Sequence, residues 1–329
     1  MSRRLDAVVD RALAADGITG KTDIAAVMDT LRLSQPAEGM IRIGDDCAAI
    51  PDGDGWLLFA IEGFVNSFVT QMPWFAGYCG VMVNVSDIAA MGGRATAVVD
   101  AVWSRDVDHV RPIVEGMAAA AQAYGVPVVG GHSNAHSDDG EQLSVAIVGR
   151  AKRLLTSFDA RPGDVLVAAI DLRGNYREPL PNWDASTDVP AARLRADLEL
   201  LPAIAEAGLC CAAKDISMGG LVGTAMMLAE SSQVGAVIDI DAVPSPPGID
   251  QPRWLCDTFP SFGFLLAVAP ADVEAVVARF SERDIACAAV GRCDDSRRFT
   301  LRNAPATREI RNFETDPYIA CVRAGANPK

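Results

Sequence analysis

From Ala76 to Met91 the chain is apolar at nearly every position and contains no proline. A run of that length and pattern reads as a helix buried on all sides, and this limits the fold to one that can surround it. Only Asn84, Ser86 and Asp87 interrupt the run, and Gly92-Gly93 closes it in the usual way for a helix C-terminus. A polar group left unpaired in such a place costs about 1–3 kcal/mol. Two readings supply partners: Asp87 ligates a metal or a phosphate, or the three residues form a hydrogen-bonded network in the core.

Around this helix the sequence alternates. Two N-terminal helices, 2–15 and 22–34, are broken at Gly17–Gly20, with Leu5, Val8, Val9 and Leu13 at helical spacing. Strands are expected at Met40–Ile43, Trp56–Ile61, Ala95–Trp103, Val126–Gly130 and Gln142–Val148, with a helix at Val107–Tyr124. Arg161-Pro162-Gly163-Asp164 is a turn signal, followed by a strand at Val165–Ile170. Further on come helices at Pro190–Ala207, Gly220–Glu230 and Ala271–Arg283. Strands are expected at Cys210–Ala213, Val234–Ile240, Gly263–Val268 and Ile285–Gly291. Arg173–Thr187 has no periodicity and reads as a long loop, either a functional lid or a surface insertion. The expected division is a helical segment over 1–38, a domain over 39–155, a second over 156–306 and a tail over 307–329.

The chain has 329 residues, half of them hydrophobic, which is ample for two packed domains. Its net charge is −14 and it has no Lys/Arg-rich block, so nucleic acid is excluded as a partner. An anionic ligand such as ATP would need metal ions between like charges. No apolar stretch reaches the length of a membrane span, and the N-terminus lacks the apolar core of a signal peptide. A cytoplasmic protein is expected, with its eight cysteines reduced and buried, since none forms a CxxC pair.

Three strings carry chemistry. Gly44-Asp45-Asp46 opens a turn on which both carboxylates can reach one cation, and magnesium favours such hard oxygen ligands. A solvated turn is the alternative. The string Asn84 to Gly93 is the second. Lys214-Asp215-Ile216-Ser217-Met218-Gly219-Gly220 is the third, between a short strand and a helix. Backbone amides at a glycine-exposed helix N-terminus suit phosphate, with Asp215 on a metal and Lys214 on a phosphate. The plainer alternative is Ser217 as a helix cap. Gly20-Lys21-Thr22 is not a P-loop, because the first glycine would fall on Ala15 and a helix precedes it. His132 and His136 have a zinc-compatible spacing, but His109 is the one other histidine, so zinc is not expected.

Taken in order, these strings resemble the superfamily of aminoimidazole ribonucleotide (AIR) synthetase, thiamine-monophosphate kinase, selenophosphate synthetase and the hydrogenase maturation dehydratase. GDDCAAI (44–50) is similar to the kinase GDD segment, and VNVSDIAAMGGRATAVV (83–99) to the shared N-[LV]-S-D-[LI]-A-A-M-G string. Val129-Gly130-Gly131-His132-Ser133 resembles a Gly-Gly turn of these enzymes, and KDISMGGL resembles their second-domain motif. The nearest likeness is to the AIR synthase-related branch. Three departures stand out. Glu62-Gly63 replaces Asp-Gly, Met218 replaces a kinase aspartate, and Ser261-Phe262-Gly263-Phe264 replaces a Gly-Glu-Asp-Tyr stretch.

The resemblance implies a two-domain α/β (α+β) fold whose first domain pairs in a homodimer to form a β-barrel across the interface. It implies ATP with Mg2+ on Asp45, Asp46 and Asp87, with Asp215 nearby and Glu62 as a further metal ligand. Gly44, Asn84, Ser86, Gly130, Gly131, Ser217, Gly219 and Gly220 are the expected nucleotide contacts. Lys214 and His132 are the expected catalytic residues. An imidazole can serve as acid or base near neutral pH, so His132 can move a proton or simply be hydrogen-bonded. The expected activity is phosphoryl transfer to, or phosphate activation of, a small molecule. A nucleotide-binding regulator or a subunit of a larger synthetase is the alternative.

Overall fold

A computed structural model of the chain describes residues 3–31, 42–137 and 140–320. The chain divides into two compact units, each discontinuous in sequence. One comprises Met1–Asp46, Leu155–Thr187 and Ile204–Lys329, the other Cys47–Leu154 and Asp188–Ala203.

The helices α1 (Arg3–Ala14), α2 (Asp16–Thr19) and α3 (Asp23–Thr30) come first. Read from the sequence as a segment of their own, they fall in the unit that holds the C-terminal sheet. Leu5, Val8 and Ala12, one face of α1, are buried in its core. The strand expected at Met40–Ile43 lies partly outside the described residues, and Arg42 and Ile43 are not in a strand.

In the second unit β1 (Ala48–Asp52) and β2 (Gly55–Phe64) form a hairpin. Next come α4 (Asn66–Gln71), α5 (Pro73–Ala90), β3 (Arg94–Trp103), α6 (Val107–Tyr124), β4 (Val128–Asn134) and β5 (Gln142–Ala151). The sheet order is β1-β2-β5-β3-β4, and only the β3–β4 pair is parallel, with α6 as its crossover. The five described strands make an open sheet.

The expected buried helix is α5, and every residue from Phe75 to Ala90 is buried. It meets α6 backbone to backbone at two glycines. A Cβ on Gly77 would stand 1.9 Å from the Ile113 carbonyl oxygen, and one on Gly116 would stand 1.8 Å from that of Trp74. Leu58, Val98, Leu143, Val145 and Ile147 cover the inner face of the sheet. Phe59, Ile61 and Val99 on the other face are exposed.

The remaining elements are β6 (Val165–Ile170), β7 (Asn175–Tyr176), β8 (Asn182–Asp184), α7 (Ala191–Leu198), α8 (Leu200–Ala207), β9 (Ala212–Asp215), α9 (Gly220–Ser232) and β10 (Gly235–Asp239). They continue with α10 (Gln251–Cys256), β11 (Phe259–Pro260), β12 (Gly263–Val268), α11 (Val273–Ser281), β13 (Ala286–Asp294), β14 (Arg298–Asn303) and β15 (Ala306–Asn312). Seven of these strands form a mixed sheet in the order β15-β14-β10-β13-β6-β12-β9, and α9 is buried throughout.

Three expectations are corrected here. Arg173–Thr187 is not a structureless loop: β7 and β8 pair with each other, and β8 pairs with β11. The Trp183 ring of β8 packs edge-on against Tyr176 of β7 and against Trp254. The helix expected over 190–207 breaks at Glu199, because Pro202 has no N–H to carry the ladder across. The stretch read as a tail from 307 contains most of β15, an edge strand of the large sheet.

Candidate functional site

Gly44 adopts φ +102° and turns the chain so that Asp45 and Asp46 diverge. Asp45 is fixed in place. Its Oδ1 accepts from the Ser157 hydroxyl at 2.6 Å and the Asp46 amide at 3.0 Å, and its Oδ2 accepts from the Ser157 amide at 2.9 Å. Burial pushes its carboxyl up to about 6, aided by the charge of Asp46 and opposed by Lys214 and Ser157.

Asp46 faces the end of β9. Its Oδ1 takes the Lys214 ammonium, and its Oδ2 lies 3.4 Å from the Asp215 amide. A carboxylate oxygen of Asp46 and one of Asp215 lie within 4.8 Å of each other. Burial works to lower the Lys214 pKa, but the charges of Asp46, Asp45 and Asp215 outweigh it and hold the ammonium protonated. This unit therefore gathers three carboxylates around one ammonium, and Lys214 and Asp215 are buried. Buried charge of one sign in excess calls for a further cation. The donors are hard oxygens at short range, which fit magnesium.

Beyond β9, Ser217 does not cap α9. The helix begins at Gly220, with Gly219 at the cap position and no side chain bonded there. Gly220 is needed for packing as well as freedom, since it has φ +60° and a Cβ would fall 2.5 Å from the Leu255 carbonyl oxygen. Met218 is exposed.

The other candidates lie in the second unit. On α5, Asn84 Nδ2 donates to the carbonyls of Gly80 at 2.7 Å and Val145 at 3.0 Å, while Ser86 Oγ donates to Met82 at 3.2 Å. These two are bonded within the core, although among the described residues the buried Asn84 Oδ1 has no hydrogen-bond partner. Asp87, one turn on from Asn84, is also buried.

Gly130-Gly131-His132 is not a turn. It lies within β4, in register with Val99, Asp100 and Ala101. Cross-strand partners share a face, so Glu62, Val145, Asp100 and Gly131 lie in one row on the inner side. His132 stands on the opposite, open face beside Trp103, ring centroids 5.7 Å apart. Glu62 and His132 therefore cannot serve one centre from this sheet. Among the described residues, no group of three candidate ligands includes a histidine.

Two residues of interest escaped the sequence reading. Ser157 carries no signal, since it meets Asp45 only through the fold. Asp100 has one: it is an acid in the apolar strand ATAVVDAVW, and burial raises its pKa.

The family model described as the AIR synthase related protein N-terminal domain matches residues 44–151, and its C-terminal counterpart matches residues 172–303. The chain belongs to the AIR synthase-related family. The motif order therefore pointed to the right superfamily. An uncharacterised protein of Synechocystis is 47% identical to this AIR synthase-related chain over 304 residues, covering 92% of the chain and 94% of that relative. A thiamine-monophosphate kinase of Pyrococcus horikoshii is 32% identical over 222 residues, covering 61% of the chain and 67% of the kinase.

In fold, the chain is similar to Thermotoga maritima PurL complexed with ADP, with a TM-score of 0.72 at 20% identity. That match covers 92% of this chain and 51% of PurL, so the chain spans about half the length of that protein. The two-domain mixed α/β fold agrees with both matched domains. No described helix is long and apolar enough to cross a membrane.

Proposed function

We propose that this chain binds ATP with Mg2+ and transfers the γ-phosphoryl group to a small-molecule acceptor. The observation that carries the reading is the pair Asp46 and Asp215, two carboxylates at ligand-sharing distance beside the Lys214 ammonium, with Asp215 buried. Bound magnesium would neutralise phosphate oxygens and align the γ-phosphate for in-line attack. In this reading Asp46 and Asp215 hold metal in their unit and Asp87 does so in the other. Asp45, fully engaged by Ser157, sets the direction of Asp46. The uncapped start of α9 offers amides to phosphate. Supporting it from outside are the thiamine-monophosphate kinase relative and the ADP complex of the PurL fold neighbour.

The acceptor side of the reading gives His132 the role of acid or base beside Trp103, with Gly130 leaving open space next to it. A second reading, a nucleotide-binding protein that does not turn over, is favoured by Met218, which stands exposed where the related kinases carry an aspartate. Calorimetric titration of ATP with and without magnesium, and ADP release from the same sample, separate these readings. The expected result is magnesium-dependent binding with slow ADP release in the absence of the acceptor. Asp87→Ala is expected to abolish the magnesium-dependent part. Unchanged ATP affinity in that variant would sink the metal assignment, and binding with no ADP release under any acceptor would favour the second reading.

A further inference from the structure

Lys214 sits at the heart of the acidic cluster, on β9 and buried, with its ammonium bonded to Asp46 Oδ1. A buried ammonium is retained only where its charge is met at close range, and Asp46, Asp45 and Asp215 meet it here. Asp45 cannot swing to another partner, because both its oxygens are taken by Ser157 and the Asp46 amide. Asp46 is thus divided between two claims. One oxygen belongs to the lysine, and among the described residues the other takes the long 3.4 Å contact with the Asp215 amide. An ion bridging Asp46 and Asp215 can use that second oxygen. A further ion on the first oxygen would have to displace the ammonium.

We propose that Lys214 is an internal cation standing in for one metal ion, so that Asp46 and Asp215 take a single divalent ion and hold it less tightly than the carboxylates alone would. Lys214 is then a positioning and charge-setting residue rather than a phosphate ligand. This rests on the metal-binding reading above.

The test is magnesium calorimetry, without nucleotide, on the full-length wild type, Lys214→Met and Lys214→Gln, together with melting curves with and without magnesium. Removing one positive charge a few ångströms from the ion should tighten magnesium binding on the order of tenfold, or add a second ion per chain. Both variants should melt below the wild type without magnesium and recover most of the difference with it. Magnesium affinity and stoichiometry equal to wild type in folded variants would overturn the proposal. So would variants that stay unfolded in saturating magnesium, because the ion would then be unable to replace the ammonium. If the wild type and both variants bind no magnesium at all, the metal-site reading itself has failed, a result distinct from either of these.

Discussion

Cys210 and Cys211 are adjacent in the chain and opposite in chemistry. Cys210 is buried, its thiol donating to the carbonyls of Ala212 at 3.1 Å and Ala267 at 3.2 Å, and burial pushes its pKa up to about 12. Cys211 is exposed. Cys256, Cys287 and Cys293 are likewise pushed up to about 12 by burial. The thiolate is the reactive form, so at pH 8 only about one in ten thousand of those thiols is ionised. Alkylation of the native protein, read peptide by peptide in a mass spectrometer, should therefore label Cys211 and leave the other four unmodified until denaturant is added. Modification of Cys210 in the native state would contradict the packing around it. The expectation of buried, reduced thiols therefore fails at Cys211. Ser157 was hidden because a hydrogen bond to Asp45 from 112 residues away leaves no local mark. Asp46, Lys214 and Asp215 were legible because short motifs bracket them. Their mutual pairing was not, since it forms only when the turn after Gly44 meets the end of β9.

Among the elements, those with long apolar runs were read correctly, as α5, α6, β6 and β12 illustrate. β14 and β15 were missed because RFTLRN and ATREIRN carry two apolar residues each, too few to make a continuous run. β7, β8 and β11 are two or three residues long, below what periodicity can register. The C-terminal end of α9 shows one side chain gathering three amides of a distant segment. Glu230 is buried and accepts from the amides of Tyr318 and Ile319, each at 2.6 Å, and of Ala320 at 3.2 Å. Glu230→Ala removes all three acceptor contacts, so a loss of about 3 kcal/mol in urea unfolding is expected. The pH dependence has a definite sign. Burial raises the Glu230 pKa above its ordinary 4.5, against the pull of the three amides and Arg311. A carboxyl raised in the folded state contributes stability that is complete below the unfolded pKa and lost as pH rises through the folded one. Wild-type stability should therefore fall over that window, and Glu230→Gln, which cannot ionise, should lack this part of the fall. Parallel curves for the two proteins would show that the charge of Glu230 is not what the fold is resisting.

At the scale of the whole molecule, the open question is what covers the outer face of the five-stranded sheet. Its inner face is closed by α5, but Phe59, Ile61 and Val99 on the outer side are 46%, 64% and 42% exposed. β2, β5 and β3 lie side by side, and Ile61 and Val99 both pair with Ala146, so the three strands present one continuous apolar surface. Val128 and Val129 on the edge strand β4 are exposed as well. Monomers rarely leave an apolar sheet face in water, because burying it is worth about 25 cal/mol per Å². We propose that the occupant is a second copy of the same sheet, as the resemblance implies, and the exposure of Ile61 and Val99 is what that pairing needs. A two-fold pairing would bring each such residue close to its own counterpart, so one charged substitution places like charges against each other in an apolar interface. Ile61→Asp is accordingly expected to turn a dimer into a monomer by light scattering. The thermal midpoint of the isolated chain should change little, because Ile61 has few partners to lose within it. The consequence reaches the catalytic proposal through His132, which stands on this same open face beside Trp103. If the face is an interface, the monomeric variant should lose phosphoryl transfer while keeping magnesium binding at Asp46 and Asp215, which belong to the other unit. A wild type that is already monomeric at micromolar concentration would remove both the dimer and any role for His132 at an interface.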